Sequence, residues 1–111
     1  MISKENILSY LTDIKPMLVS RYHVSSIGLF GSFARNEQTE ASDIDLLIEF
    51  APNTENLPEI KESIKQMVSA RFQCKVDLAR EKYLKPYFKN QILQSVIYAW
   101  KRQGELVFCT L

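Results

Sequence analysis

Two aspartates, Asp43 and Asp45, stand one residue apart at the head of an apolar run, and they are the residues of this chain best suited to chemistry. On a β-strand, residues two apart project from the same face with their Cα atoms about 6.6 Å apart, so both carboxylates can converge on one ion. Carboxylates held this close repel one another and raise each other's pKa values. A hard divalent cation such as Mg²⁺ would relieve that repulsion, which makes the pair a candidate metal site.

A third carboxylate, Asp77, stands in the alternating stretch 74–79. If this stretch forms a strand beside the one that carries Asp43 and Asp45, the three carboxylates share one small volume. They could then hold two Mg²⁺ ions about 4 Å apart, which activate an attacking oxygen and neutralise a leaving pyrophosphate. An ordinary role for Asp77, at a strand end or in a salt bridge, stays open at this point.

The dipeptide Gly31-Ser32 could bind phosphate. It follows an apolar run and precedes the first turn of a short helix, where unpaired N–H groups suit a phosphate and glycine permits its close approach. Ser32 can add its hydroxyl. Arg35 could reach a phosphate oxygen, although pairing with Glu37 or Glu40 accounts for it equally well. A triphosphate at this turn and metal ions at the aspartates would together define a nucleotidyl-transfer site.

Apolar periodicity predicts the elements that position these residues. The predicted strands cover residues 26–30, 43–50 and 74–79. The predicted helices begin at Ser3, at Ser32, at Pro58 and at Lys85, and the last two extend to Phe72 and Trp100. Pro16 either kinks the first helix or begins a second one. This order predicts the α/β (α+β) class, with helices packed on a small sheet.

Other residues are expected to be structural or to contact a partner. Glu49 shares a face with the aspartates, but at a strand end we expect it to be solvated. Core or interface positions are predicted for the larger aromatic residues Tyr83, Tyr87, Tyr98 and Trp100. The run 106–108 could be a fourth strand or a partner-binding end.

Length and charge limit the number of domains and the kinds of partner that we expect for this chain. A chain of 111 residues is long enough for one domain, 1–111, and too short for two of ordinary size. Fourteen Lys and Arg against thirteen Asp and Glu give a net charge of +1. Because phosphate neutralisation dominates the binding of long nucleic acid, this balance argues against a stand-alone DNA or RNA binder.

Cysteine and histidine are too sparse for a zinc site. Cys74 and Cys109 lie far apart, and His23 is the single histidine, in a polar loop where we expect a surface residue. Reduced cysteine in a cytoplasmic protein is therefore the expectation. The N-terminus lacks an apolar signal core, and no apolar run approaches the roughly 20 residues of a membrane helix, so we expect no membrane partner.

The spacing of these motifs resembles that of a known superfamily. Gly31-Ser32, ten residues, and then Asp43-Ile44-Asp45 is similar to the signature of the DNA polymerase β-like nucleotidyltransferases. The fuller strings Gly-Ser-Phe-Ala-Arg and Ser-Asp-Ile-Asp-Leu-Leu-Ile-Glu-Phe resemble the small prokaryotic branch, the minimal nucleotidyltransferases (MNT). The likeness continues through 75–78 and into 84–86.

The resemblance implies a role for each motif. It implies the polymerase β-like nucleotidyltransferase fold with a small mixed β-sheet, and transfer of a nucleoside monophosphate from a triphosphate, commonly ATP. By position, Asp43 and Asp45 would hold both Mg²⁺ ions, and Asp77 would join the catalytic ion and help to deprotonate the acceptor hydroxyl. Gly31 and Ser32 would bind the triphosphate. Asn36 departs from the glycine usual after the arginine of this branch.

Two functions of different class remain at the level of sequence. In the first, the chain resembles MNT antitoxins that transfer AMP to a tyrosine of a HEPN ribonuclease toxin. In the second, it neutralises its partner by occlusion, with an interface formed by 98–100 and 106–108. A third function, nucleotidyl transfer to an antibiotic, is disfavoured because such enzymes carry an additional helical domain. Homo-oligomerisation stays open.

Overall fold

A four-stranded mixed sheet organises the computed structural model, which describes residues 2–101. The strands are β1 (Val24–Phe30), β2 (Ile44–Phe50), β3 (Val76–Ala79) and β4 (Ile97–Trp100). The helices are α1 (Lys4–Asp13), α2 (Lys15–Tyr22), α3 (Gly31–Ala34), α4 (Leu57–Phe72) and α5 (Pro86–Ser95), with a 3₁₀ turn at Glu81–Tyr83. The strand order is β3-β2-β1-β4; β1 is antiparallel to β2 and β4, while β2 and β3 are parallel. The predicted mixed sheet with packed helices is confirmed.

The N-terminal helices follow their capping residues. Ser3 and Asn6 form a capping box, in which the Asn6 N–H donates to Ser3 Oγ (3.1 Å) and the Ser3 N–H donates to Asn6 Oδ1 (3.2 Å). α1 ends at Asp13 and α2 begins at Lys15. Pro16 lies in the first turn of α2, where its missing N–H costs nothing, so it starts a second helix.

The core lies on one face of the sheet. Alternate side chains of β2 are buried there, at 0% exposure for Ile44, Leu46 and Ile48 and 7% for Phe50. They pack with apolar residues of α1, α2 and α4, including Ile7, Leu18 and Ile64. This alternation places Asp45, Leu47 and Glu49 on the opposite face, as the sequence predicts.

The end of the last predicted helix is wrong. α5 stops at Ser95, and Ile97–Trp100 forms β4 on the open edge of β1. A short run of β-branched and aromatic residues fits either a helix or a strand, and here pairing with β1 decides the outcome. Gly28 permits this packing, because a Cβ there would lie 2.9 Å from Cγ2 of Val96.

The other boundaries differ from prediction by two residues or fewer. β1, β2 and β3 begin at Val24, Ile44 and Val76, and α4 begins at Leu57. The possible fourth strand at 106–108 and Cys109 lie outside the described residues. Within residues 2–101, no helix has the length and apolar character needed to span a membrane.

Candidate active site

Neighbouring strands bring the predicted carboxylates together. Asp45 in β2 is the Cα partner of Asp77 in the parallel strand β3. Parallel neighbours lie about 4.8 Å apart, and residues in register project from the same face. Asp43 stands one residue before β2, close enough that its charge acts on Asp45. The strand order therefore assembles the two aspartates of the Asp-Ile-Asp motif with the more distant Asp77.

Burial and neighbouring charges perturb the carboxylate of Asp45. Burial is the main cause, with repulsion from Asp77 and then Asp43 added to it, and together they raise the pKa of Asp45 from 3.8 to about 6. Arg35 acts in the opposite direction. Asp45 and Asp43 are half-buried, whereas Asp77 is exposed. Holding charge on Asp45 therefore costs free energy, which a nearby cation would offset.

The donor set fits a hard cation in an open site. Among residues 2–101, no group of three or more His, Cys, Asp or Glu side chains is arranged so that it could hold a metal ion. Mg²⁺ is usually held by one or two carboxylates together with substrate phosphates and water, and not by a full cage of protein ligands. Asp43, Asp45 and Asp77 lie on or beside neighbouring strands, and one or two of their carboxylates could serve such a site together with substrate phosphates.

Gly31 joins the candidate phosphate turn to Asp45. It has φ +78°, in the left-handed region that glycine favours, and it begins α3. A Cβ at this position would overlap Oδ2 of Asp45 and would lie 3.2 Å from its Cγ. The preceding residue, Phe30, is the Cα partner of Asp45. The turn is thus in direct contact with the carboxylate of Asp45. At position 31 a residue with a Cβ would collide with that carboxylate, whereas glycine does not.

The remaining residues of the turn have distinct partners. Ser32 is half-buried in α3, and its carbonyl accepts from the Glu37 N–H at 2.9 Å. Arg35 Nε donates to Glu37 Oε1 at 3.0 Å in an exposed ion pair. Asn36 has φ 57°, a left-handed conformation that asparagine tolerates better than most residues. Asparagine can therefore occupy the position that is usually glycine in the branch the sequence resembles.

An ion pair that sequence reasoning missed lies farther along the same face. Arg80 donates to Glu49 Oε1 from Nη2 (3.0 Å) and Nε (3.1 Å), and the Glu81 N–H donates to Glu49 Oε2 (3.0 Å). Their side chains are only 10% and 23% exposed for Arg80 and Glu49. The expectation that Glu49 is solvated is therefore wrong. Nothing local in the sequence signals a pairing between residues 31 positions apart.

The aromatic residues divide into two groups. Tyr83 and Tyr87 are 71% and 69% exposed, so they are not core residues, and Phe88 beside them is 52% exposed. Tyr98 and Trp100 are half-buried in β4.

His23 is exposed at the end of α2, as expected, and the half-buried Cys74 is a free thiol.

A groove runs beside Asp77. It encloses about 430 Å³ between the first half of α4 and the end of β3. Lys61, Lys65 and Tyr83 also line it. Asp77 is therefore accessible from solvent along the edge of the sheet, where an acceptor group could approach.

Comparison with known proteins places this geometry in a family. The nucleotidyltransferase domain family matches residues 11–99. The chain is 35% identical over 100 residues to the protein adenylyltransferase MntA of Thermococcus cleftensis, covering 88% of this chain and 97% of that protein.

Solved structures share the fold. A provisionally assigned minimal nucleotidyltransferase superposes with a TM-score of 0.69 at 27% identity, over 86% of this chain and 95% of that one. A chain from the complex of a tri-AMPylated HEPN toxin with an MNT antitoxin of Shewanella oneidensis superposes with a TM-score of 0.64 at 16% identity, over 95% and 78% of the two chains, which is a likeness of fold alone. On the match over residues 11–99 and the identity to MntA, this chain belongs to the nucleotidyltransferase domain family.

Proposed function

We propose that this nucleotidyltransferase works in the cytoplasm as an antitoxin, transferring AMP from ATP to a tyrosine hydroxyl of a HEPN toxin with the help of two Mg²⁺ ions. The observation that carries the proposal is the register that sets Asp45 opposite Asp77, with Gly31 packed against Asp45. The MntA relative is a protein adenylyltransferase, which supports a protein as the acceptor of AMP. The AMPylated toxin in the Shewanella complex supports the class of partner.

Each residue then has a defined task. The Gly31-Ser32 turn binds the triphosphate, and Asp43 and Asp45 bind the cations that accompany it. Mg²⁺, when bound, supplies positive charge that neutralises the phosphates and the leaving pyrophosphate. The acceptor oxygen forms a bond to the α-phosphorus while the bond from that phosphorus to the pyrophosphate oxygen breaks. Asp77, exposed at the edge of the sheet, receives the proton of the acceptor hydroxyl.

The test is transfer of label to the partner. The purified HEPN toxin is incubated with α-labelled ATP, Mg²⁺ and this protein, and the toxin is then separated and counted. We expect label with the unaltered protein and none with Asp43→Ala or Asp45→Ala. Asp13→Ala, an exposed aspartate at the end of α1, is the matched control and should transfer normally. Equal counts with the unaltered protein and Asp45→Ala would contradict the proposal.

Exposed aromatic side chains favour a second candidate, neutralisation by occlusion. Tyr83, Tyr87 and Phe88 present apolar surface near the end of β3 and on α5. A partner that covers them would be inhibited without any transfer of AMP. Neutralisation of the toxin by the Asp43→Ala/Asp45→Ala double variant would support this mechanism, whereas its loss would support catalysis.

A further inference from the structure

Among residues 2–101, the strand that carries Asp77 pairs with the sheet on one side only. β3 has four residues, and in this described part of the chain it stands at the edge of the sheet, with β2 as its single neighbour. A slip of one residue would turn Asp77 toward the core face. A slip of two would keep the face but move its carboxylate about 6.6 Å along β2. The position of Asp77 opposite Asp45 therefore depends on whatever fixes this register.

Contacts at both ends of β3 oppose a slip. Before the strand, the Ile44 N–H donates to the Lys75 carbonyl at 2.8 Å, and the Cys74 thiol donates to the Ser42 carbonyl at 3.3 Å. The contact after the strand involves ions. Ala79 is the Cα partner of Leu47 and is followed at once by Arg80, which reaches Glu49 two residues farther along β2.

The geometry of this ion pair can favour one register of β3 against β2. Both Nε and Nη2 of Arg80 donate to one oxygen of Glu49, while the other oxygen accepts from the backbone of Glu81. The guanidinium also lies 5.7 Å from the ring centre of Phe50 and 5.4 Å from that of Tyr83. A lysine could not reproduce this fork of donors.

We propose that Arg80 and Glu49 are positioning residues for nucleotidyl transfer: their ion pair locks β3 in the register that holds Asp77 opposite Asp45. A buried ion pair often adds little net stability over an apolar pair, but it can favour one arrangement among several. The catalytic consequence rests on the proposed function, whereas the structural consequence does not.

Hydrogen exchange tests whether the ion pair fixes the register of β3, and this test does not depend on AMP transfer. In Arg80→Lys and Glu49→Gln, we expect the amides of β3 to exchange about 10-fold faster, while those of α1 keep their rates. Lys89→Met is the matched control, because it breaks a more exposed ion pair with Glu81 (3.7 Å) in the same region. Unchanged exchange in β3 would overturn the proposal. If a single variant fails to fold, the paired replacement Glu49→Leu/Arg80→Met removes the ions without leaving a lone buried charge, and the same exchange result applies to it.

A double-mutant cycle separates positioning from general stability. Arg80→Lys should lower kcat for AMP transfer by about 10- to 100-fold and leave KM for ATP unchanged, as expected for a residue that orients a metal ligand. In an Asp77→Asn background, Arg80→Lys should have no further effect, because both changes act through one carboxylate. Equal losses in both backgrounds, or an unchanged kcat, would overturn the proposal. Absence of transfer by the unaltered protein would count against the proposed function alone. The exchange rates would still show whether the Arg80–Glu49 ion pair fixes the register of β3.

Discussion

Replacing Asp45 with asparagine should make the metal-free protein more stable while it abolishes transfer. The carboxylate of Asp45 is half-buried beside Asp77 and Asp43, and its pKa is raised from 3.8 to about 6. A shift of this size corresponds to roughly 3 kcal/mol of unfavourable free energy when the group is charged. Because the group is partly exposed, solvent screening reduces this to about 1.5 kcal/mol.

The sign of the pH dependence follows from the direction of the shift. A carboxyl group with a raised pKa in the folded state binds its proton more tightly there than in the unfolded chain. Below about pH 4 the charge on Asp45 therefore causes no loss of folding stability. As the pH rises from about 4 to about 6, the free energy of unfolding falls by the full penalty of this charge. The advantage of Asp45→Asn should be complete at pH 7 and should vanish near pH 4.

Thermal unfolding in EDTA measures this effect. A gain of about 1.5 kcal/mol corresponds to a rise in Tm of roughly 5 °C for a domain of this size. Glu40→Gln removes an exposed carboxylate from the loop after α3 and should leave Tm almost unchanged. A Tm for Asp45→Asn at or below that of the unaltered protein at pH 7 would show that the charge on Asp45 does not destabilise the fold.

Three further predictions address the same site. Gly31→Ala should cost about 1–2 kcal/mol in unfolding free energy, because alanine must adopt a left-handed conformation, and it should also displace Asp45 and abolish transfer; denaturant unfolding and the transfer assay measure both effects. Mg²⁺ with ATP at 100 times its Kd should stabilise the unaltered protein by about 2.7 kcal/mol in a thermal shift assay, and chelation or Asp45→Asn should remove this gain. Arg35→Ala should change stability by less than about 1 kcal/mol, since its ion pair with Glu37 is exposed, but should raise KM for ATP; an unchanged KM would assign Arg35 to the ion pair alone.

Local sequence was sufficient to place much of the candidate site on its strands and turn. The alternation of β2 fixes the face on which Asp45 lies, and the turn residue Gly31 is recognisable because it stands between an apolar run and a helix. The strand containing Asp77 also follows from alternation. Its placement beside β2 needed the expectation of a small mixed sheet, which the resemblance supplied.

Long-range contacts were beyond prediction from one sequence. The β-branched and aromatic residues of the run 97–100 favour a strand, but the apolar stripe of the preceding helix continues through Val96 and Ala99, and pairing with the free edge of β1 decides the outcome. Glu49 and Arg80 meet only because β2 and β3 are parallel neighbours. Likewise, the contact of Gly31 with Asp45 depends on the antiparallel pairing of β1 with β2.

Mass spectrometry of the partner toxin shows whether this protein transfers AMP to a tyrosine. The toxin is incubated with ATP, Mg²⁺ and either the unaltered protein or Asp45→Asn, and its tyrosine-containing peptides are then examined. We expect AMP on a toxin tyrosine with the unaltered protein and none with Asp45→Asn, although that variant should be the more stable of the two without metal. An unmodified toxin with the unaltered protein, or equal modification by Asp45→Asn, would contradict it.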